Sequence, residues 1–252
     1  LDDIACYTTA LSAEELGATE NSVLYENSFD SGMVGTAVTN NVDKGVYVHH
    51  EETFAGRDGA VFIPYTESTS APNYLATGIS PFAGADTSDG LTFSYYQYIN
   101  GTIWANDRIA LGFAQGERDE CKYFGIGCNG HFRFNNGDGG TDSSLSSAGI
   151  YFDYTGTNSS ITNKKWQLIT VSIPDDYHLN VYVDGVLADS IDVTGVGGSG
   201  HLAKGGLLDF LTSSNTTLYL GAYIRYWSSL TLVFDNVKCF DHALSAAEAA
   251  AL

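Results

Sequence analysis

The sequence predicts an all-β fold: a two-sheet antiparallel β-sandwich closed by one short C-terminal helix. Three observations predict it. Short segments of alternating apolar and polar residues recur along the chain, with turn residues between them. Aromatic residues make up 13% and glycines number 28, which suits aromatic-rich strands joined by tight turns. No helical pattern separates successive strands, so a parallel βαβ architecture is excluded.

The strands follow in order. SVLYENSF (22–29) is a short first strand, and DSGMVGTAVTNNVDKG after it reads as loop. GAVFIPY (59–65) is apolar throughout. LTFSYYQYIN (91–100) alternates, with Leu91, Phe93 and Tyr95 on one side and Thr92, Ser94, Tyr96 and Tyr98 on the other. RIALGFAQG (108–116) turns Ile109, Leu111 and Phe113 inward, and HFRFNN turns Phe132 and Phe134 inward. WQLITVSI (166–173) buries Ile169, Val171 and Ile173. LNVYVDGVLADSIDV (179–193) is a hairpin turning at Asp-Gly. TLYLGAYIRYW (217–227) and LTLVFDNVKCF (230–240) complete the sheets. SAAEAAAL at the end is a helix, with Ser245 as N-cap and Glu248 at the capping-box position.

The two ends repeat each other. LDDIACYTTALSAEEL aligns without gaps on FDNVKCFDHALSAAEA, matching Asp2 to Asp235, Cys6 to Cys239, Ala10 to Ala243, Leu11 to Leu244 and Ser12 to Ser245. Residues 1–20 therefore read as the closing strand and helix of a preceding tandem copy, and residues 21–252 as one complete domain. The chain opens on Leu1 without a signal-peptide pattern and is read as a piece of a longer protein.

The formal net charge is −19. That speaks against nucleic acid and anionic membrane surfaces, both of which need Lys and Arg. No apolar run reaches the ~18–20 residues of a membrane-spanning helix, so no membrane insertion is expected. The four cysteines, Cys6, Cys121, Cys128 and Cys239, form no C-x-x-C pair, which argues against zinc and thioredoxin-type sites. They are read as free thiols. One extended strand between Cys121 and Cys128 would hold them about 20 Å apart, and a disulfide would need a bend at Gly125 or Gly127.

The order WQLITVSI, LNVYVDGVLADS, LYLGAY, FDNVKCFDHALSAAEAAAL resembles the bacterial laminin-G-like, concanavalin A-like jelly-roll family. The ending is the most specific piece. The resemblance spans roughly residues 22–252, and residues 1–16 resemble the same ending. It implies a jelly-roll sandwich, often with a bound calcium ion, and recognition of glycans without catalysis in a secreted or cell-surface protein. Neighbouring domains of the same chain are the expected partners.

The same fold hosts glycoside hydrolases and polysaccharide lyases, so an enzyme is the alternative, and a structural spacer is another. Glucanase relatives use E-x-D-x-x-E; the nearest match, Glu117-Arg118-Asp119-Glu120-Cys121-Lys122, has lysine in place of the third carboxylate. Adjacent residues of His49-His50-Glu51-Glu52 would point to opposite strand faces, so at most two of them could converge, too few for a metal site. No catalytic residue is assigned.

Calcium takes six to eight oxygen ligands. Related sandwiches tie the first and last strands together with such an ion. The resemblance puts Asp30, at the end of the first strand, and Asp235, in the last, where they would hold it. Gly32 and Val34 are candidate carbonyl donors and Asn27 a candidate amide. The alternative is an Asx turn at Asp30 and a solvent-facing Asp235.

A sugar site needs flat aromatic platforms and side chains that bond hydroxyls. Trp104, in a polar loop, and Tyr223 and Trp227, outward on the Leu218–Ile224 alternation, are the candidate platforms, with Arg108 and Arg225 as donors. The competing reading is cross-strand aromatic packing. Trp166, at the start of a core strand, is read as structural. The acidic chain favours neutral glycans, because acidic ones are repelled.

The repeat generates one test. Deleting residues 1–20 is expected to cost less than about 3 kcal/mol, the scale of losing an integral core element. Denaturant unfolding of the whole and shortened chains measures it; a larger loss makes the segment part of this domain.

Overall fold

The computed structural model describes residues 22–30, 36–38, 47–48, 55–57, 59–63, 73–101, 109–116, 122–127, 132–135, 164–192, 206–221 and 230–252. The strands are β1 (Val23–Asn27), β2 (Thr36–Val38), β3 (Tyr47–Val48), β4 (Val61–Ile63), β5 (Tyr74–Ala76), β6 (Leu91–Gly101) and β7 (Ile109–Gln115). They continue with β8 (Lys122–Gly127), β9 (Phe132–Asn135), β10 (Trp166–Ile173), β11 (His178–Val183), β12 (Val186–Asp192), β13 (Thr217–Gly221) and β14 (Leu230–Phe240). Two short helices are α1 (Leu207–Thr212) and α2 (Ala246–Ala251).

All pairings are antiparallel, and they form two sheets. One runs β12-β11-β10-β6-β14-β4-β3, with β1 also paired to β14; the other runs β2-β5-β13-β7-β8-β9. This is the expected sandwich. The alternation decides what lies between the sheets. Leu91, Phe93 and Tyr95 of β6, Ile169, Val171 and Ile173 of β10, and Phe234, Val237 and Cys239 of β14 are buried in one core. Leu111 and Phe113 of β7, Phe124 and Ile126 of β8, Phe132 of β9, and Leu218 and Leu220 of β13 close it from the other side. Phe93 bridges the layers: its ring centroid lies 5.3 Å from Phe113 and 6.3 Å from Phe124, both edge-on. Cys239 is a free, fully buried thiol, and burial raises its pKa well above the ordinary value.

Local chemistry fixes the turns. The hairpin between β11 and β12 turns on Asp184 and Gly185, with φ of 50° and 75°; two consecutive positive φ values match the right-handed twist of the strands. At the C-terminal end of the sandwich, Thr92 Oγ1 donates to the His242 carbonyl and accepts from the Leu244 amide. Ser172 Oγ donates to the Leu244 carbonyl. These bonds dock the chain that enters α2. There the Glu248 amide donates to Ser245 Oγ and the Ser245 amide to Glu248 Oε2, the reciprocal cap expected from the sequence.

Three sequence expectations need correction. The stretch read as loop after the first strand contains β2, and β3 and β5 were not foreseen; each has three residues or fewer, too short to show alternation. The C-terminal helix is not the only one. Helix α1 buries Leu207, Leu208, Phe210 and Leu211, and the Leu208 amide donates to Asp176 Oδ1 in the turn after β10. A six-residue segment with four apolar positions, LLDFLT, cannot be told from a short buried strand by period alone.

The core generates a test. Phe93→Ala removes the ring that touches both facing phenylalanines, and is expected to cost about 3–5 kcal/mol in urea unfolding, the range for a buried phenylalanine.

Candidate functional site

Strand β14 changes partner partway along one edge. Leu232, Val233 and Phe234 pair with β4, whereas Val237 to Phe240 pair with β1. Asp235 and Asn236 fall between the two partner strands. The register against β6 also shifts between Asp235 and Lys238, and Asn236 takes a positive φ of 49°. A bulge of this kind re-aims side chains.

The break opens a pocket of about 540 Å³ lined by Glu26, Ser28, Asp30, Gly56, Arg57, Asp235 and Asn236. Strained backbone gathers around it. Phe29 (φ 59°) lies between two lining residues, and Ala55 (φ 48°) precedes Gly56. Phe29 is held in that conformation by Asn27, whose Oδ1 accepts from the Phe29 amide at 2.8 Å. The Asx turn therefore forms at Asn27, three residues before Asp30. Gly59 has φ 68°, and a Cβ there would meet the Asp30 backbone nitrogen at 2.7 Å. Only glycine lets the backbone at position 59 lie this close to Asp30.

Asp235 is not the solvent-facing residue of the alternative reading: it is 5% exposed. Arg57 Nη1 donates to its Oδ2 at 2.6 Å. The guanidinium carbon sits 3.3 Å from the centroid of the Tyr96 ring and 5.6 Å from that of Trp166. Tyr96 is the residue opposite Asp235 in β6, so carboxylate and ring hold the cation from two sides. Burial pushes the Asp235 pKa up, the bond and charge of Arg57 pull it down, and the charge of Asp30 pushes it up again. Asp30 and Asp235 are thus brought to one pocket, as the resemblance implies. Lys238 Nζ pairs with Glu26 at 2.9 Å on the strand side.

Gly32 lies outside the described residues. So do the candidate sugar-binding residues Trp104, Arg108, Tyr223, Arg225 and Trp227. Their anchors are described. The segment bearing Trp104 and Arg108 leaves β6 at Gly101 and enters β7 at Ile109; the segment bearing Tyr223, Arg225 and Trp227 leaves β13 at Gly221 and enters β14 at Leu230. Gly101 pairs with Leu230, and Leu111 with Leu220. Both crossings between the sheets are therefore anchored side by side at one end of the sandwich. Next to them, on the outer face of the six-stranded sheet, the half-buried rings of Tyr74 and Tyr219 lie 6.1 Å apart. Tyr219 was legible as outward from its alternation; Tyr74 was not, since its strand was missed.

Trp166 has the structural role expected, packing edge-on against Tyr98 at 5.7 Å over Phe62 and Val233 on the outer face of the eight-stranded sheet. What the sequence reading lacked is Arg57. It stands 178 residues from its partner, in a loop with no periodic pattern to mark it.

The pair sets a pH dependence. The folded pKa of Asp235 lies above the ordinary 3.8, so its protonated form favours folding, and that contribution is lost as pH rises through the folded value. Removing Arg57 removes the influence that opposes the rise. Arg57→Ala is therefore expected to cost least below pH 4 and most at pH 7, where the loss reaches about 1.5–3 kcal/mol, the scale of a hydrogen bond to a charged group. Unfolding curves of both proteins across that range measure it; a cost independent of pH removes Asp235 from the account.

The chain matches the family model of the concanavalin A-like lectin/glucanases superfamily over residues 70–250. No curated protein matches it. Domain 4 of AbnA, an extracellular arabinanase from Geobacillus stearothermophilus solved with arabinotriose, is 15% identical, with a TM-score of 0.53 over 91% of this chain and 97% of that one. The binding domain of botulinum neurotoxin serotype G is 12% identical, with a TM-score of 0.49 over 91% of this chain and 50% of that one. This chain thus spans about half of the toxin domain. At 15% identity the likeness to the arabinanase domain is one of fold, and it agrees with the family match. With the match covering well over half its length, the chain belongs to the concanavalin A-like lectin/glucanase superfamily.

Proposed function

We propose that this chain is a non-catalytic carbohydrate-binding module of a larger secreted protein, stabilised by calcium, with residues 1–20 closing a preceding copy. The observation that supports it best is the outward Tyr74–Tyr219 pair beside the anchors of the two candidate segments. Outward, half-buried aromatic rings suit the apolar faces of sugar rings, and Arg108 and Arg225 add rigid donors to the same end. The relatives agree in kind: the arabinanase domain was solved with arabinotriose, and a botulinum toxin ligand-binding domain with N-acetylneuraminic acid. For this chain the charge of −19 favours neutral sugars over acidic ones. Lys122, where glucanase relatives carry the third carboxylate, supports binding without catalysis.

Calcium suits the pocket at Asp30 and Asp235. The donor set is hard oxygen: burial is what chiefly raises the Asp235 pKa, and the charge of Asp30 in the same pocket adds to it. A divalent ion offsets that charge. Among the described residues no group of three or more His, Cys, Asp or Glu is placed to hold a metal. The ion would therefore complete its shell with backbone carbonyls, Gly32 among them, and water, which calcium accepts.

Titration with neutral oligosaccharides, in calcium and in EDTA, tests the reading. Sugar should quench tryptophan fluorescence, more strongly in calcium. Trp104→Ala and Trp227→Ala should each weaken binding about tenfold without lowering the melting temperature, as for an anchor worth about 1.4 kcal/mol. If both variants bind as wild type does, the platform lies elsewhere. If no sugar binds, the module is a spacer.

A further inference from the structure

Arg57 occupies Asp235. Its Nη1 donates to Oδ2, its plane covers Tyr96, and its side chain is 27% exposed, against 6% for that of Asp235. A guanidinium keeps its charge at every pH the protein meets. Asp30 lines the same pocket, and among the described residues no cationic side chain pairs with it. Two carboxylates thus share one built-in positive charge, held by a loop of strained residues that Gly59 lets approach.

We propose that Arg57 is the specificity-determining residue of this pocket: it neutralises Asp235 in the absence of calcium and competes with the ion for that carboxylate. The inference rests on the calcium reading above. The two cations cannot both hold the Oδ2 position. A calcium ion needs the carboxylate oxygens at about 2.3–2.6 Å, and a guanidinium already bonded there repels it. Binding calcium therefore moves the guanidinium off Asp235 and off the Tyr96 ring. The exposed side of Arg57 gives it a way out to solvent, where Arg regains hydration. Arg57 thereby lowers the calcium affinity of the pocket while keeping the ion-free domain folded, so the module tolerates low calcium and responds to high calcium.

Calorimetric titration of calcium into chelator-stripped wild type, Arg57→Ala and Arg57→Gln tests the exchange, with near-ultraviolet circular dichroism and thermal melts recorded alongside. The neutral variants are expected to bind calcium about tenfold more tightly or better, and to melt lower than wild type in EDTA. Calcium should alter the aromatic dichroism of wild type, as the guanidinium leaves Tyr96 and Trp166, and leave that of the variants nearly unchanged. Arg57→Gln keeps the stem over the ring and carries the test if the alanine variant does not fold. Equal calcium affinity in all three proteins overturns the exchange but keeps the ion. No calcium binding by any of them overturns both readings. An unchanged wild-type dichroism on saturation means that Arg57 stays in place, and also overturns the exchange.

Discussion

Strand β14 is the constraint on which this sandwich depends. It is hydrogen-bonded to β6 along one edge, and on the other it is shared between β4 and β1. A strand paired on both edges must be apolar towards the core, and Leu232, Phe234, Val237 and Cys239 supply that. Sharing one edge between two short strands leaves a gap, and unpaired backbone in a gap must find other partners. The bulge at Asp235–Asn236 occupies the gap, and there Arg57 bonds the Asp235 carboxylate. The pocket is thus a by-product of topology that chemistry has filled.

The two sheets carry different kinds of outer surface. On the eight-stranded sheet, Tyr96, Tyr98 and Trp166 face outward but are engaged, with Arg57, Phe62 and Val233 against them. The cross-strand packing weighed for outward aromatics is what these residues do. On the six-stranded sheet, Tyr74 and Tyr219 are paired with each other and only half buried.

Much of the fold was legible because strands write themselves as alternation. β6, β7, β10, β11, β12 and β14 were all bounded to within a residue or two, and the Asp-Gly turn and the Ser245–Glu248 cap were readable from local chemistry alone. β2, β3, β5 and α1 were not, since two or three strand residues or six helical ones are too few to establish a period. The pocket was half legible. Asp30 and Asp235 came from a resemblance between strand ends, whereas Arg57 came from no pattern. Long-range ion pairs leave no trace in a single sequence, because their spacing is set by the fold and not by a repeat.

The position of β14 in the chain also orders events during synthesis. β1, β4 and β6 all await residues 230–240, which leave the ribosome after every other strand. Until then the eight-stranded sheet is two half-sheets with open edges, one built on β6, β10, β11 and β12, the other on β3 and β4. Closing it means inserting one strand between edges far apart in sequence, a step whose loop-closure entropy slows folding. The half-built domain exposes sticky strand edges for as long as that takes. A chain built of such modules in series would face this delay once per module, each waiting on its own last strand.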